Sequence, residues 1–249
     1  MKTLYNENDR NAAAWLRELA KGGHITAGDV NERSIKELTG DDLAGYGRVH
    51  LFAGIGGWDY ALKLAGWPDD AEVWTGSCPC QPWSVGNTSG DVVGYDDPRH
   101  LWPDMYRLIG ERRPPVVFGE QVANAVGKGW LDLVFGNLEA SGYACGAAVL
   151  PALAVGARHE RKRLFWCAYT NVAGWKGHQP LVRVPVAAEA SQPVLGDPLA
   201  RAWSAVDGNI DGLLHCDGVS VQLERHAVHG FGNAIVPQVA AAFITAFME

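Results

Sequence analysis

The pattern of apolar positions predicts strands and helices in alternation along most of the chain. Residues 3–6 have a short strand pattern, and residues 11–21 follow with Ala13, Leu16, Leu19 and Ala20 at helical spacing. Further strands are predicted over residues 48–53, 72–77, 116–118, 147–150 and 164–169, and helical segments over residues 34–43, 58–64, 101–109, 130–141 and 236–247. This alternation predicts an α/β fold built on a sheet.

The periodicity stops near residue 170 and returns near residue 230. Residues 170–229 contain Gly, Pro, Asp and scattered Val without a regular period. We therefore predict a first domain over residues 1–169 and a small second region over residues 170–229. Residues 230–249 are expected to return to the first domain as an apolar helix.

Composition and charge narrow the class of protein. The chain has 249 residues, 47% of them hydrophobic and 20% charged, a balance typical of a globular enzyme. Apolar runs fall short of the roughly 18–20 residues of a membrane span, and we expect no secretory signal. Five cysteines without framework spacing favour a reducing, cytoplasmic location. The net charge of −7 restricts any nucleic-acid binding to local basic patches.

Residues 75–84 have the setting expected of a nucleophile. Cys80 lies between Pro79 and Gln81, after a predicted strand and before a loop rich in Gly, Ser and Asp. The proline fixes the backbone ahead of the thiol. Considered alone, a small buried thiol is an equally good interpretation, because most free cysteines are buried.

Two other strand ends carry groups suited to a nucleotide cofactor. One strand runs into Gly54, Ile55, Gly56 and Gly57, and glycines there let the backbone approach a ligand at the N-terminus of the next helix. Glu7 follows the first strand, where doubly wound folds hold a ribose. Each signal is weak alone, since glycine turns are common and the position of Glu7 favours a helix N-cap carboxylate.

Five blocks of sequence together resemble the DNA (cytosine-5) methyltransferases. They are Phe52-Ala-Gly-Ile-Gly-Gly57, Pro79-Cys80-Gln81, Gly119-Glu120-Gln121-Val122, Arg161-Lys162-Arg163 and Gly232-Asn233-Ala234. The resemblance implies a Rossmann-like S-adenosylmethionine-dependent methyltransferase fold with a small, irregular target-recognition subdomain. The implied reaction transfers a methyl group from S-adenosylmethionine to carbon 5 of a cytosine flipped out of duplex DNA. The alternatives are RNA cytosine methylation and a weakly active DNA-binding protein of this fold.

The resemblance also implies the catalytic residues. Cys80 is the nucleophile that adds to carbon 6 of cytosine, since a thiolate attacks and leaves readily. Glu120 hydrogen-bonds ring nitrogen 3 and the exocyclic amine, which calls for a carboxyl whose pKa is raised by burial. Arg163, and secondarily Arg161, contact the base oxygen. Considered alone, Glu120 is as readily a carboxylate that caps a turn, and the arginines a solvated basic face.

Two residues depart from the family pattern near this site. Gln121 stands where the family has an asparagine that helps to hold the cysteine loop, and His159 stands where the family often has glutamine. Because glutamine is longer by one methylene, the geometry of the loop is open. Cys78 lacks the Pro-Cys-Gln setting, and we assign it a structural role.

The order of the cofactor motifs also departs from the family. The usual order is the glycine turn, the ribose-binding acid, a Gly-Asp-Val turn and then Pro-Cys-Gln, whereas here Glu7 and Gly28-Asp29-Val30 come first. We interpret this as a circular permutation, with Glu7 on the ribose and Asp29 on the adenine amine. The implied cofactor-binding residues are Phe52, Gly54, Ile55, Gly56, Gly57, Glu7, Asn8, Asp29, Val30, Pro79, Leu101, Asn233 and Ala234.

The expected partners are duplex DNA and S-adenosylmethionine. Gln81, Ser84 and Arg99 are the expected DNA contacts in the loop after Cys80, and residues 170–229 must recognise the target. The resemblance is compatible with a cognate restriction enzyme, and we expect a monomer. His215, Cys216, His226 and His229 match no usual zinc spacing, so we expect no metal.

Overall fold

The structure is a computed structural model that describes residues 1–79, 100–157, 160–170 and 234–249. Several predicted site residues lie outside these ranges, namely Cys80, Gln81, Ser84, Arg99, His159 and Asn233. The predicted target-recognition region also lies outside them, apart from Thr170.

The strands in the described ranges are β1 (Lys2–Asn6), β2 (Asp29–Asn31), β3 (Tyr46–Leu51), β4 (Val73–Gly76), β5 (Val116–Val122), β6 (Ala144–Leu150) and β7 (Arg163–Tyr169). The α-helices are α1 (Arg10–Lys21), α2 (Gly57–Ala65), α3 (Trp102–Arg112), α4 (Trp130–Ala140) and α5 (Pro237–Met248). The predicted alternation of strands and helices is confirmed.

The seven strands form one sheet in the order β2-β1-β3-β4-β5-β7-β6. Strands β1 to β5 run parallel to one another, and β7 runs antiparallel to both β5 and β6. The chain steps outward from β1 to β2, crosses back to β3 and then continues to β4 and β5. Its direction across the sheet therefore reverses between β1 and β3, and α/β sheets bind ligands at the carboxyl ends of strands at such a switch point.

Alternate side chains of the strands enter separate clusters of the core. In β5, Val117 packs in the cluster of α3 and α4, whereas Val116 and Phe118 pack in the cluster of α2 and α5. Side chains alternate between the faces of a strand, so the sheet is covered on both faces. Because both faces of the sheet are covered, polar side chains that bind a ligand are expected at the ends of the strands.

The segment over residues 34–43, which was predicted to be helical, is helical in two short pieces. Two short 3-10 helices, Ile35–Glu37 and Asp41–Leu43, occupy it. Between them the Thr39 backbone N–H donates to an Asp42 carboxylate oxygen at 2.8 Å. Such local side-chain bonds compete with a helical ladder.

The order of units along the chain corrects the interpretation as a circular permutation. A circular permutation keeps the cyclic order of units, so the glycine-turn strand would follow the Pro-Cys-Gln strand. Instead β3, which leads into the glycine turn, directly precedes β4, which leads toward Cys80. The departure from the usual order is therefore a displaced β1-α1-β2 unit.

Among the described residues, no helix combines the length and apolar character required to cross a membrane.

Candidate functional site

The carboxyl ends of β1 and β3 form the first half of the candidate site. Leu51 pairs with Asn6 at the end of the two strands, and the Ala53 N–H donates to the Asn6 carbonyl at 2.9 Å. One residue beyond, the Glu7 carboxylate accepts a hydrogen bond from the Gly54 N–H at 2.7 Å. Residues that are 47 positions apart in sequence thus meet at the switch point of the sheet.

The glycine turn after β3 has the backbone expected of a ligand-binding turn. Gly54 and Gly56 adopt positive φ angles of 56° and 81°, and Phe52 also has a positive φ, 54°. A positive φ in a bulky residue is strained, and such strain concentrates at functional sites. Gly56 caps helix α2 without a side-chain hydrogen bond, so the first N–H groups of α2 remain available to an acceptor.

Glu7 is held by backbone groups and is not the N-cap of α1. The second carboxylate oxygen of Glu7 accepts from the Asp9 N–H at 2.9 Å, and Asp9 itself caps the helix by accepting from the N–H groups of Asn11 and Ala12. The N-cap interpretation of Glu7 is therefore wrong. Burial raises the pKa of Glu7 although these backbone donors oppose the shift.

Glu120 forms the second half of the candidate site. It lies on β5, is 8% exposed, and its Oε1 accepts from the Arg163 Nε at 2.9 Å. Burial raises the pKa of the Glu120 carboxyl, while the charges of Arg163 and Arg161 and a hydrogen bond from Ser77 oppose the shift. A buried carboxyl of this kind suits proton donation to a base.

Arg161 is half-buried and holds the segment before α5. Its Nη2 donates to the Ala234 carbonyl at 2.8 Å, and its backbone has a φ of 22°. Burial and the charge of Arg163 lower the pKa of Arg161. The structure thus brings Arg161 near Glu120 and ties it to the block that contains Asn233.

Gln121 reaches the segment that leads to Cys80. Its Nε2 donates to the Cys78 carbonyl at 3.3 Å, and its Oε1 accepts from the Val122 N–H at 2.9 Å. The longer amide side chain therefore holds the cysteine segment two residues before the predicted nucleophile. Cys78 is 6% exposed with its Sγ 3.7 Å from the Met105 Sδ, and burial strongly raises its pKa, which fits the structural role predicted for it.

Other predicted cofactor residues occupy different surroundings. The Asp29 carboxylate accepts from the Tyr46 hydroxyl at 2.6 Å, toward the amino end of β3, while Asn31 rather than Asp29 pairs with Asn6 beside Glu7. The Ile55 side chain is buried in the core against α1, so only the backbone of Ile55 is left to contact a ligand at the turn. Leu101, the N-cap residue of α3, packs against the same core cluster as Phe52. Asn8 and Pro79 are exposed, Val30 is half-buried, and Gly57 opens α2.

The structure adds Ser77 and Trp58, which sequence reasoning missed as site residues. The Trp58 Nε1 donates to the Ser77 Oγ at 3.0 Å, and the pairing of Gly76 with Gly119 brings Ser77 beside Glu120 at the ends of β4 and β5. The only signal in the sequence was the position of Ser77, three residues before Cys80.

The donor set fits S-adenosylmethionine. Two carboxylate oxygens on Glu7 suit a ribose diol, and the space beside Gly54 is open, since a Cβ there would meet nothing within 4 Å. The buried Glu120 carboxyl on β5, whose pKa is raised, suits recognition of a heterocyclic base. In the described part of the chain, no cluster of three or more side chains could hold a metal ion.

Comparisons with known proteins show the family to which the chain belongs. Residues 67–197, slightly more than half of the chain, match the model of the C-5 cytosine-specific DNA methylases. The chain is 27% identical over 158 residues to the type II methyltransferase M.HgiBI of Herpetosiphon aurantiacus, covering 47% of this chain and 36% of that protein. It is also 27% identical over 174 residues to M.HhaI of Haemophilus parahaemolyticus, covering 54% and 52%.

The matched regions thus span about a third to a half of the length of these curated relatives. Among solved structures, a DNMT2 variant of Spodoptera frugiperda aligns over 100% of both chains with a TM-score of 0.56 and 11% identity. That likeness shows the shared fold.

Proposed function

Because the chain belongs to the family of C-5 cytosine-specific DNA methylases, we propose that it methylates carbon 5 of cytosine in duplex DNA through a covalent adduct between Cys80 and carbon 6. The observation that carries the proposal is the buried pair of Glu120 and Arg163 on β5 and β7, next to the strand that leads to Cys80. A buried carboxyl whose pKa is raised suits proton donation to a base at this position.

In the proposed mechanism, Glu120 activates the cytosine for attack. A protonated carboxyl donates toward ring nitrogen 3, which draws electrons from carbon 6. Arg163 holds the carboxyl through Oε1 and presents a positive charge where the base oxygen would lie. The Cys80 thiolate then adds to carbon 6 and leaves again after a base removes the proton from carbon 5.

Glu7 and the glycine turn would hold S-adenosylmethionine, the methyl donor of this family. Its sulfonium supplies an electrophilic methyl group when it is bound. Glu7 would accept hydrogen bonds from the ribose hydroxyls, and the N–H groups at the start of α2 would bind the carboxylate of its methionine part. Phe52 would border the same pocket, because its strained backbone turns the chain away from β3.

The DNA contacts belong to the same proposal. A cytosine in a duplex must be flipped out to reach Cys80, and Gln81, Ser84 and Arg99 are the proposed contacts of the loop. Residues 170–229 are proposed to read the target sequence. Methylation of one recurring site would fit the role of a partner to a restriction enzyme.

The test is expression in a host without DNA methylation, followed by bisulfite sequencing of its DNA. We expect protected cytosines within one recurring sequence, and none with Cys80→Ala. Protection found only in the RNA of the host would replace the DNA substrate with RNA. Absence of protection in both would contradict the proposal.

A second assay tests the covalent step directly. Duplex DNA that contains 5-fluorocytosine traps the adduct, because the fluorine at carbon 5 cannot leave as a proton does. We expect a stable protein–DNA adduct with the wild type and none with Cys80→Ala. Cys78→Ala is the matched control, and its adduct should form; the reverse result would move the nucleophile to Cys78.

A further inference from the structure

The ends of β4 and β5 place Ser77 beside Glu120. Gly76 pairs with Gly119 in the parallel ladder, so Ser77 and Glu120 are the next residues on neighbouring strands. Ser77 is half-buried, and its hydroxyl favours the charged form of the Glu120 carboxyl. The carboxyl therefore has a hydroxyl from β4 on one side and Arg163 from β7 on another.

The direction of the hydrogen bond between Ser77 and α2 is fixed by the chemistry of Trp58. The Trp58 indole N–H can only donate, and it lies 3.0 Å from the Ser77 Oγ. Ser77 thus accepts from Trp58, and the hydrogen of its hydroxyl is left for donation to another acceptor. Trp58 is 3% exposed and stacks on Phe118 with ring centroids 6.2 Å apart, so the donor is held by the core.

We propose that Ser77 is a positioning residue that links the cofactor helix α2 to Glu120, by accepting from Trp58 and donating to the carboxyl. This inference rests on the proposed function for its catalytic consequence. Helix α2 begins at the glycine turn, and Trp58 is its second residue. The orientation of the acid that acts on the base is therefore fixed from the element that borders the cofactor.

The charged groups around Glu120 give this link a measurable signature. Arg163 on β7 and Arg161 just before it favour the charged carboxylate, as does the hydroxyl of Ser77, whereas burial favours the neutral acid. Without the Ser77 hydroxyl, fewer groups oppose the effect of burial on the pKa of Glu120. The pKa of Glu120 should then rise further.

The first experiment follows the Glu120 carboxyl carbon by NMR titration of protein labelled with ¹³C at glutamate, with Glu120→Gln to assign the signal. We expect the midpoint to move to higher pH in Ser77→Ala and, by less, in Trp58→Phe. In the double variant, Trp58→Phe should add little, because its effect acts through Ser77.

Matched controls separate the link from a general loss of packing. Ser141→Ala removes another half-buried serine hydroxyl, which lies 2.8 Å from the Tyr106 hydroxyl, and Trp102→Phe removes another buried indole donor, 2.9 Å from Asn137. Both should leave the Glu120 titration at its wild-type midpoint. An unchanged midpoint in Ser77→Ala, or independent additive shifts in the double variant, would overturn the inference whatever the activity of the protein.

The second experiment measures methylation by the same variants. We expect Ser77→Ala to lower kcat about tenfold, as for loss of one hydrogen bond to a charged group, with KM for S-adenosylmethionine within about twofold of wild type. The alkaline limb of its pH profile should move to higher pH. Wild-type kcat in Ser77→Ala would contradict the inference alone, whereas an inactive wild type with an intact titration shift would contradict only the proposed function.

Discussion

At the scale of single residues, contacts decide between roles that position in the sequence leaves open. Glu7 and Asp9 both precede α1, and a carboxylate in either place is compatible with an N-cap. An N-cap side chain must reach the N–H groups of the first helical turn, and Asp9 does so. Glu7 is then free to accept from Gly54, which turns a local signal into a long-range contact.

Replacing Glu7 by Gln tests its proposed ribose contact. The change keeps the shape of the side chain but removes its charge, so affinity for S-adenosylmethionine should fall about tenfold or more, as expected for charge-assisted hydrogen bonds. Isothermal titration calorimetry measures the Kd. Glu18→Gln, an exposed position on α1, should leave the Kd unchanged; equal affinity in Glu7→Gln would rule out the contact.

At the scale of elements, β5 combines core residues and the proposed catalytic carboxyl in consecutive positions. Gly119 lies where the Trp166 ring of β7 crosses the strand, and a Cβ on Gly119 would come within 2.1 Å of that ring. Trp166 is fully buried and packs edge-on against Trp102, with ring centroids 5.8 Å apart. The absence of a side chain at Gly119 therefore lets the Trp166 ring pack against β5. This packing fixes the position of the next residue, Glu120.

Gly119→Ala should destabilise the fold, because the Trp166 ring cannot shift without disturbing the core. We expect a loss of about 1–3 kcal/mol in the free energy of unfolding, measured by urea denaturation. Gly110→Ala is the control on α3, where a Cβ meets nothing within 4 Å. That change should stabilise by about 0.5–1 kcal/mol; a neutral Gly119→Ala would contradict the packing argument.

At the scale of the whole molecule, a buried polar network joins the elements that border the glycine turn. His50 on β3 lies between the Thr75 hydroxyl on β4, 2.8 Å from its Nδ1, and the Asp59 carboxylate on α2, 3.3 Å from its Nε2. Asp59 also accepts from the Thr26 N–H at 2.7 Å. Burial pushes the pKa of Asp59 up, but the nearby His50 and the hydrogen bond from the Thr26 N–H together outweigh it and hold that pKa below its ordinary value.

Asp59→Asn should reveal this network as a pH-dependent stability. A lowered folded-state pKa contributes stability above the unfolded pKa of about 3.9 and loses it as the pH falls through the folded value. Breaking a buried pair costs roughly 3–5 kcal/mol. Urea unfolding should show that loss at pH 7 and a smaller difference from wild type below about pH 4. The exposed Asp70→Asn should change stability by less than about 0.5 kcal/mol at either pH.

The sequence by itself determined the class of fold and predicted the residues of the site. Apolar periodicity gives the strands and helices because burial on a sheet imposes a period, and the turn and the Pro-Cys-Gln and Gly-Glu-Gln-Val blocks identify residues whose types suit one reaction. The sequence predicted the local structure of short segments less accurately. In residues 34–43, hydrogen bonds between Thr39 and Asp42 compete with the helix that spacing alone predicts.

Only the tertiary structure decided which residues meet. The switch between β1 and β3 brings Glu7 to Gly54, the register of β4 and β5 brings Ser77 to Glu120, and the return of α5 places Ala234 on Arg161. The structure also placed Asp29 against Tyr46. Its strand order identifies β1-α1-β2 as the unit whose position in the chain departs from the usual motif order. Sequence spacing carries local geometry, whereas these contacts depend on strand order and register, which arise only when the whole sheet packs.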